Sequence, residues 1–188
     1  NLKFGEAVKT LALLAGMRPY TFSKEDELRE KNWKEYISLY NKYINFYHDA
    51  LIKNSSSKIA KDYLKNRNLT INEVKKFKIG YVERTSNIYD ELKKEFHENK
   101  LKESGLFYFN ERKKIYVDRF KDRIIFPINN ISGQPIALGG RIISEKDNVA
   151  KYINSPETNF FKKGSNLYNL DIARKLSNKV DNIYLVEG

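Results

Sequence analysis

Residues 119–164 read RFKDRIIFPINNISGQPIALGGRIISEKDNVAKYINSPETNFFKKG. Two apolar runs, 124–128 and 135–142, flank a turn-forming stretch at 129–133, which is the pattern of a β-hairpin. Arg119, Lys121 and Arg123 stand two apart. On an extended chain they share one face, with Phe120 and Asp122 on the other. Such a row can track a phosphate backbone, although a charged edge strand that blocks aggregation has the same letters. Gly139 and Gly140 lack a Cβ and permit close approach of a ligand to the backbone, and the Arg141 that follows offers a guanidinium fork suited to phosphate or carboxylate. A β-bulge also explains paired glycines. Ten residues on, Lys151, Asn154, Ser155 and Lys163 add compact charges and short polar groups around the stiff Pro156. Between residues 111 and 164 there are eleven Lys or Arg and six acids, a net of +5. The stretch implies a cradle for an anionic polymer and for nucleotides.

The whole chain shares this bias. Its 188 residues hold 35 Lys and Arg against 24 Asp and Glu, a formal +11, with 13% aromatic residues. Cations with many rings suit nucleic acid, whose phosphates take the charge and whose bases take the rings. Lysine-rich drift that keeps a protein in solution gives similar totals. Cysteine is absent, which excludes a disulfide framework and a Cys-based zinc site within these residues. His48 and His97 lie far apart in sequence and do not make a metal pair.

Working outward from the cradle, residues 106–109 and 114–117 flank Asn110, Glu111, Arg112 and Lys113 as a second hairpin. Upstream the period is helical. Residues 7–15 form a short core helix stopped by Gly16 and Pro19. Glu6 and the amphipathic face argue against a signal peptide. Ser23 and Asp26 open a long helix to about Leu51. Its stripe of Trp33, Tyr36, Tyr40, Tyr43, Ile44 and Tyr47 is expected in the core. After a break at 54–57 come a helix at 58–67, Asn68 as a left-handed cap, and a capping box from Thr70 to Glu73. Residues 79–81 are strand-like, and one more helix is expected from Ser86 through Leu92 and Phe96. Downstream, Asp171 is expected to cap a short helix, and residues 183–186 to form a buried strand of the parallel kind. The fold class is α+β: a helical amino-terminal half, then a mostly antiparallel sheet.

Several strings together resemble a known family. They are Asp118-Arg119-Phe120, the Arg123 to Pro127 run, Gly139-Gly140-Arg141, Lys151-Tyr152-Ile153-Asn154-Ser155-Pro156-Glu157-Thr158, Lys163-Gly164, Leu167-Tyr168 and Val186-Glu187-Gly188. With Phe4 to Val8, Tyr63 to Arg67 and Phe77 to Tyr81 upstream, they resemble the RNA polymerase domain of bacterial replicative DNA primases, the DnaG family. The resemblance covers essentially the whole chain. It implies that residues 1–168 are the amino-terminal sub-domain of the catalytic core, mainly helical at 1–105 and a sheet with the cradle at 106–168. Residues 169–188 would begin a TOPRIM sub-domain.

The resemblance also implies roles. Arg67, Arg119, Lys121 and Arg123 match positions that hold single-stranded template and the RNA–DNA hybrid. Arg141, Lys151, Asn154 and Lys163 match positions that meet ribonucleoside triphosphates. Lys121 stands where relatives often have Arg, and Asn68 where they usually have Gly. Glu187 matches the TOPRIM glutamate, a general base or a ligand for Mg²⁺ or Mn²⁺, whose other ligands would lie beyond the chain end. The family's zinc module would precede Asn1 and its helicase-binding domain would follow Gly188. The activity implied is synthesis of RNA primers in the bacterial cytoplasm, with this fragment binding nucleic acid weakly and polymerising nothing alone. Judged without the resemblance, the residues also suit a non-catalytic single-stranded nucleic-acid module, or an interaction protein whose basic face meets an acidic partner.

Overall fold

The computed structural model describes residues 4–18, 23–144 and 149–186. The chain forms two compact units, 1–35 and 36–188. In the first, α1 (Phe4–Leu14) forms where the helical spacing predicts it. Leu11 and Leu14 are exposed, however, so the helix does not bury its apolar side as expected. The second helix, α2 (Lys24–Lys53), opens with the expected box. The Ser23 N–H donates to Asp26 Oδ2 and the Asp26 N–H donates back to Ser23 Oγ, which satisfies two of the amides a helix start leaves unpaired. Trp33 is half-buried.

From Tyr36 on, α2 is the spine of the second unit. Tyr36, Tyr40, Tyr43, Tyr47 and Leu51 fall three or four residues apart and, with Ile44 beside Tyr43, are all buried, as the stripe predicts. Two of the hydroxyls find main-chain acceptors far away in sequence: Tyr36 donates to Ile136 O and Tyr40 to Ser104 O, each at 2.8 Å. His48 Nδ1 lies 2.7 Å from Ile79 O, which puts the proton on that nitrogen and makes the ring a structural donor.

A short 3-10 turn leads into α3 (Lys58–Asn66), and Asn68 takes φ +58° as expected. The Thr70–Glu73 box then opens α4 (Ile71–Lys76). Strand β1 (Gly80–Val82) follows. Gly80 permits its contact with α2, because a Cβ there would stand 3.0 Å from the backbone of Tyr47 and His48. The single helix expected from Ser86 is two, α5 (Tyr89–Lys93) and α6 (Glu98–Glu103). Burial of Phe96 turns the chain between them, and the His97 side chain accepts from the Asn99 N–H to start α6 afresh.

Both predicted hairpins are present. Strands β2 (Phe107–Asn110) and β3 (Ile115–Asp118) pair as a separate two-stranded sheet, while β4 (Arg123–Asn129) and β5 (Pro135–Ile142) form the centre of a four-stranded one. Its order is β1-β4-β5-β6, antiparallel throughout, with β6 (Tyr152–Asn154) on the far edge. Asn169, at φ +60°, occupies the N-cap of helix α7 (Leu170–Leu176) without a side-chain cap bond, and Asp171, expected to cap it, is buried in its first turn. Residues 183–186 are not a strand. They pair with none of the described strands, and Tyr184, Leu185 and Val186 are more than four-fifths exposed, as follows when a parallel strand has no neighbour to accept its hydrogen bonds.

Asp118 ends β3 fully buried beside Tyr43 and Tyr47. Burial raises its carboxyl from 3.8 to about 6, offset in part by the two tyrosine hydroxyls, the Ile88 N–H and the charge of Lys121. A carboxyl whose pKa is raised on folding takes up a proton between the two values, so its contribution to stability falls as pH rises from about 4 to about 6. Asp118→Asn keeps an acceptor for the Ile88 N–H and cannot ionise. Thermal unfolding from pH 4 to pH 8 should show the variant gaining on the parent by roughly 3 kcal/mol across that window. An unchanged difference would show that the carboxyl is not penalised.

Candidate nucleotide and nucleic-acid interface

Directly paired residues of an antiparallel sheet share a face. On one face of the sheet lie Ile124, Arg141 and Tyr152, then Phe126, Gly139 and Asn154, then Ile128 and Ala137. The opposite face holds Ile125, Gly140 and Ile153, with Arg123 and Ile142 beside them. The two neighbouring glycines therefore serve different ends. Gly140 makes room for Phe120, whose ring would sit 2.5 Å from a Cβ there. Gly139 forms the floor of a cavity of about 220 Å³ lined by Phe126, Asn154, Phe161, Lys163, Asn166 and Tyr168. A Cβ at Gly139 would stand 3.3 Å from Asn154 Oδ1 and project into that space.

Arg141 lies two residues along the strand from this floor, about 7 Å away on the same face. Its Nε donates to Tyr63 Oη at 2.8 Å, and its guanidinium carbon sits 4.8 Å from the centre of the Tyr152 ring and 5.8 Å from that of Tyr63. Arg67, at the end of α3, lies over the same Tyr63 ring at 5.5 Å. Two guanidiniums thus share one aromatic support, and among the described residues no carboxylate pairs with either. Of the sequence-predicted residues, the structure brings Asn154 to Lys163 at the cavity and Arg67 to Arg141 at Tyr63. Lys151 is exposed on the edge leading into β6.

The predicted row of Arg119, Lys121 and Arg123 does not form. Residues 119–122 are a turn, with Asp122 at φ +63°, because Phe120 is drawn completely into the core. Arg119 points back at the main chain, donating from Nε to Gly105 O at 2.9 Å and from Nη2 to Phe107 O at 3.3 Å. Arg123 is 5% exposed and donates to three carbonyls, Gly140 O, Lys151 O and Ala150 O, at 3.3, 3.2 and 2.9 Å. It clamps the approach to β6 onto β5, and burial pulls its pKa down. Lys121 is half-buried in the turn.

The string from Lys151 to Thr158 divides in the same way. Ser155 does not face a ligand. Its Oγ accepts from Leu138 N–H and its own N–H donates to Leu138 O, pinning the segment to β5. Thr158 meets the Tyr36 hydroxyl at 3.1 Å, and Glu157 accepts from the Lys163 N–H at 3.0 Å, which shapes the loop that carries Lys163 to the cavity. Tyr63, Tyr152, Phe161, Asn166 and Tyr168 are not among the site residues expected from sequence, although Tyr63, Tyr152 and Tyr168 stand in the strings that carry the resemblance. An aromatic residue two positions from Asn154 was the available signal for Tyr152, whereas Tyr63 reaches Arg141 across 78 residues. Glu187 lies outside the described residues. A larger cavity of about 520 Å³ between α2, α3 and α4 is apolar and contains none of the predicted residues. Among the described residues no group of three or more His, Cys, Asp or Glu is placed to hold a metal ion, and no helix is long and apolar enough to cross a membrane.

Residues 46–174 match the family described as DNA primase catalytic core, N-terminal domain. The chain belongs to this DNA primase family. It is 37% identical over 195 residues to a DNA primase of Pseudomonas putida, a match that covers all of this chain and 29% of the relative. The chain therefore spans less than a third of that relative's length. A structure of the DnaG primase catalytic domain bound to single-stranded DNA superposes with TM-score 0.73 and 29% identity, over 85% of this chain and 49% of that one. The Aquifex aeolicus primase, with its zinc-binding and RNA polymerase domains, gives TM-score 0.68 and 28% identity over 95% of this chain and 42% of that one. The mixed helical and antiparallel architecture expected from sequence is that of primase catalytic cores.

The clamp separates a structural arginine from an exposed one by a simple measurement. Arg123→Ala removes the buried guanidinium that donates to Gly140 O, Lys151 O and Ala150 O and should lower unfolding free energy by about 2–4 kcal/mol in urea. Arg67→Ala, at an exposed site, should stay within about 0.5 kcal/mol of the parent. Equal urea midpoints for Arg123→Ala and the parent would contradict the clamp.

Proposed function

We propose that this chain supplies the template- and nucleotide-binding part of a primase that makes short RNA primers on single-stranded DNA. The observation that carries this is the cavity floored by Gly139, with Asn154 and Lys163 on its wall, Arg141 beside it on the same sheet face, and Arg67 over the Tyr63 ring that holds Arg141. A ribonucleoside triphosphate has a flat base and a polyanionic tail. The ring-lined cavity suits the former, and Lys163, Lys151 and the Tyr63-supported guanidiniums suit the latter. Lys121, with Arg119 behind it, is assigned to the template. Arg123 acts indirectly, by fixing the strand that bears Asn154.

Transfer of a nucleotide to a 3′-hydroxyl draws on a divalent ion, Mg²⁺ or Mn²⁺, to stabilise charge on the reacting oxygens. Its carboxylate ligands, with Glu187 among the candidates, are assigned to the TOPRIM part that residues 169–188 begin. The residues described here bind and orient. A zinc module, a helicase-binding segment and a place at the replication fork in the cytoplasm complete the proposal for the parent protein.

Primer synthesis by the complete enzyme on a single-stranded template tests the division. Arg141→Ala and Lys163→Ala should raise the KM for nucleotides about tenfold or more while template affinity holds, since each removes a charge-assisted contact. Lys121→Ala should weaken template binding and reduce its salt dependence. Equal loss of template affinity in all three variants would defeat the assignment. Binding that ignores salt would favour an interaction protein instead.

A further inference from the structure

The β2–β3 hairpin belongs to neither the four-stranded sheet nor the cavity, and its strands pair only with each other. Along one face runs a ladder of rings. Phe107 meets Tyr43 and Tyr89 edge-on at 5.8 and 5.1 Å, Tyr89 stacks on Tyr116 at 4.9 Å with 15° between planes, and Tyr116 meets Phe109 at 5.2 Å. Exposure rises along the ladder, from 2% at Phe107 to 40% at Phe109. The other face exposes Tyr108 and Ile115 by similar amounts. Cations flank the rings: Lys102 Nζ lies 5.4 Å from the centre of Tyr116 and Lys114 Nζ 6.0 Å from that of Phe109. At the tip, Asn110 Oδ1 accepts from the N–H groups of Arg112 and Lys113 and holds both residues exposed.

An isolated hairpin gains little stability on its own, and exposed rings on it invite aggregation unless a partner covers them. We propose that this hairpin is a second contact for single-stranded nucleic acid, with Phe109 extending its ring ladder onto an unpaired base and Arg112 and Lys113 meeting the adjoining phosphates. Ring faces accept unpaired bases of any sequence and cations track the backbone, which is the combination that single-strand binders use. An acidic peptide would meet the cations and leave the rings unused. A duplex keeps its bases stacked away from Phe109. The proposal rests on the template-binding role given above and extends it beyond the cradle.

Fluorescence anisotropy of the full chain with a labelled dT oligomer, and with an abasic oligomer of the same length, tests it. Phe109→Ser should weaken dT binding about tenfold and leave abasic binding unchanged, while Phe109→Trp retains dT affinity and shows quenching of the new indole. Arg112→Ala and Lys113→Ala should each reduce the slope of log K against log salt by about 0.7. If Phe109→Ser binds dT as the parent does while Lys121→Ala binds it more weakly, the hairpin is no platform and the cradle stands. If poly-glutamate displaces dT from the hairpin as readily as nucleic acid does, charge alone is at work and the ring contact is refuted. If the parent binds no oligomer, both roles fail together.

Discussion

The fold of the second unit depends on tyrosine hydroxyls of one helix reaching main-chain carbonyls of strands and loops far along the chain. Tyr36 ends on Ile136 O in the middle of the sheet and Tyr40 on Ser104 O before the first hairpin. Each ring buries a large apolar area, and its hydroxyl meets a carbonyl that would otherwise be buried unpaired, at a cost of about 1–3 kcal/mol. The same helix touches β1 backbone to backbone at Gly80 and fixes its carbonyl side through His48. With one face of the sheet fastened in this way, the opposite face carries Gly139, Arg141 and Asn154, and its Ile124 end is covered by residues of α3 and α4.

Positive charge is put to two uses that composition cannot tell apart. Arg119 and Arg123 hand their donors to backbone carbonyls and act as rivets, one for the hairpin and one for the edge strand. Arg67 and Arg141 lie on the Tyr63 ring, which orients a guanidinium without neutralising it. The basic stretch therefore has an inner frame of arginine and an outer layer of lysine and stacked arginine, and the proposed function gives the outer layer to the anion.

Local order was legible in the sequence wherever the cause is local. The boxes at Ser23 and Thr70, the left-handed Asn68, the tyrosine stripe and both hairpins follow from neighbouring residues, and the structure has them all. The site was legible in membership more than in geometry. Asn154 and Lys163 meet at one cavity, but alternation at Arg119, Lys121 and Arg123 misled because burial of Phe120 outweighs extension of the segment. Nothing near Tyr63 announces its bond to Arg141, and Gly140 looks like a ligand contact until Phe120 is seen filling it. Residues 183–186 have strand composition, yet a parallel strand is made by its neighbours as much as by its own side chains.

The central claim is that a nucleotide sits on the Gly139 floor. Amide and side-chain chemical shifts of the isotopically labelled chain, followed while a ribonucleoside triphosphate is added, test it most directly. The account predicts that the largest changes fall on Gly139, Asn154, Asn166 and the Arg141 Nε–H, with Gly140 moving little because its face is closed by Phe120. Changes centred on the apolar cavity between α2, α3 and α4, with Gly139 and Asn154 unmoved, would contradict it.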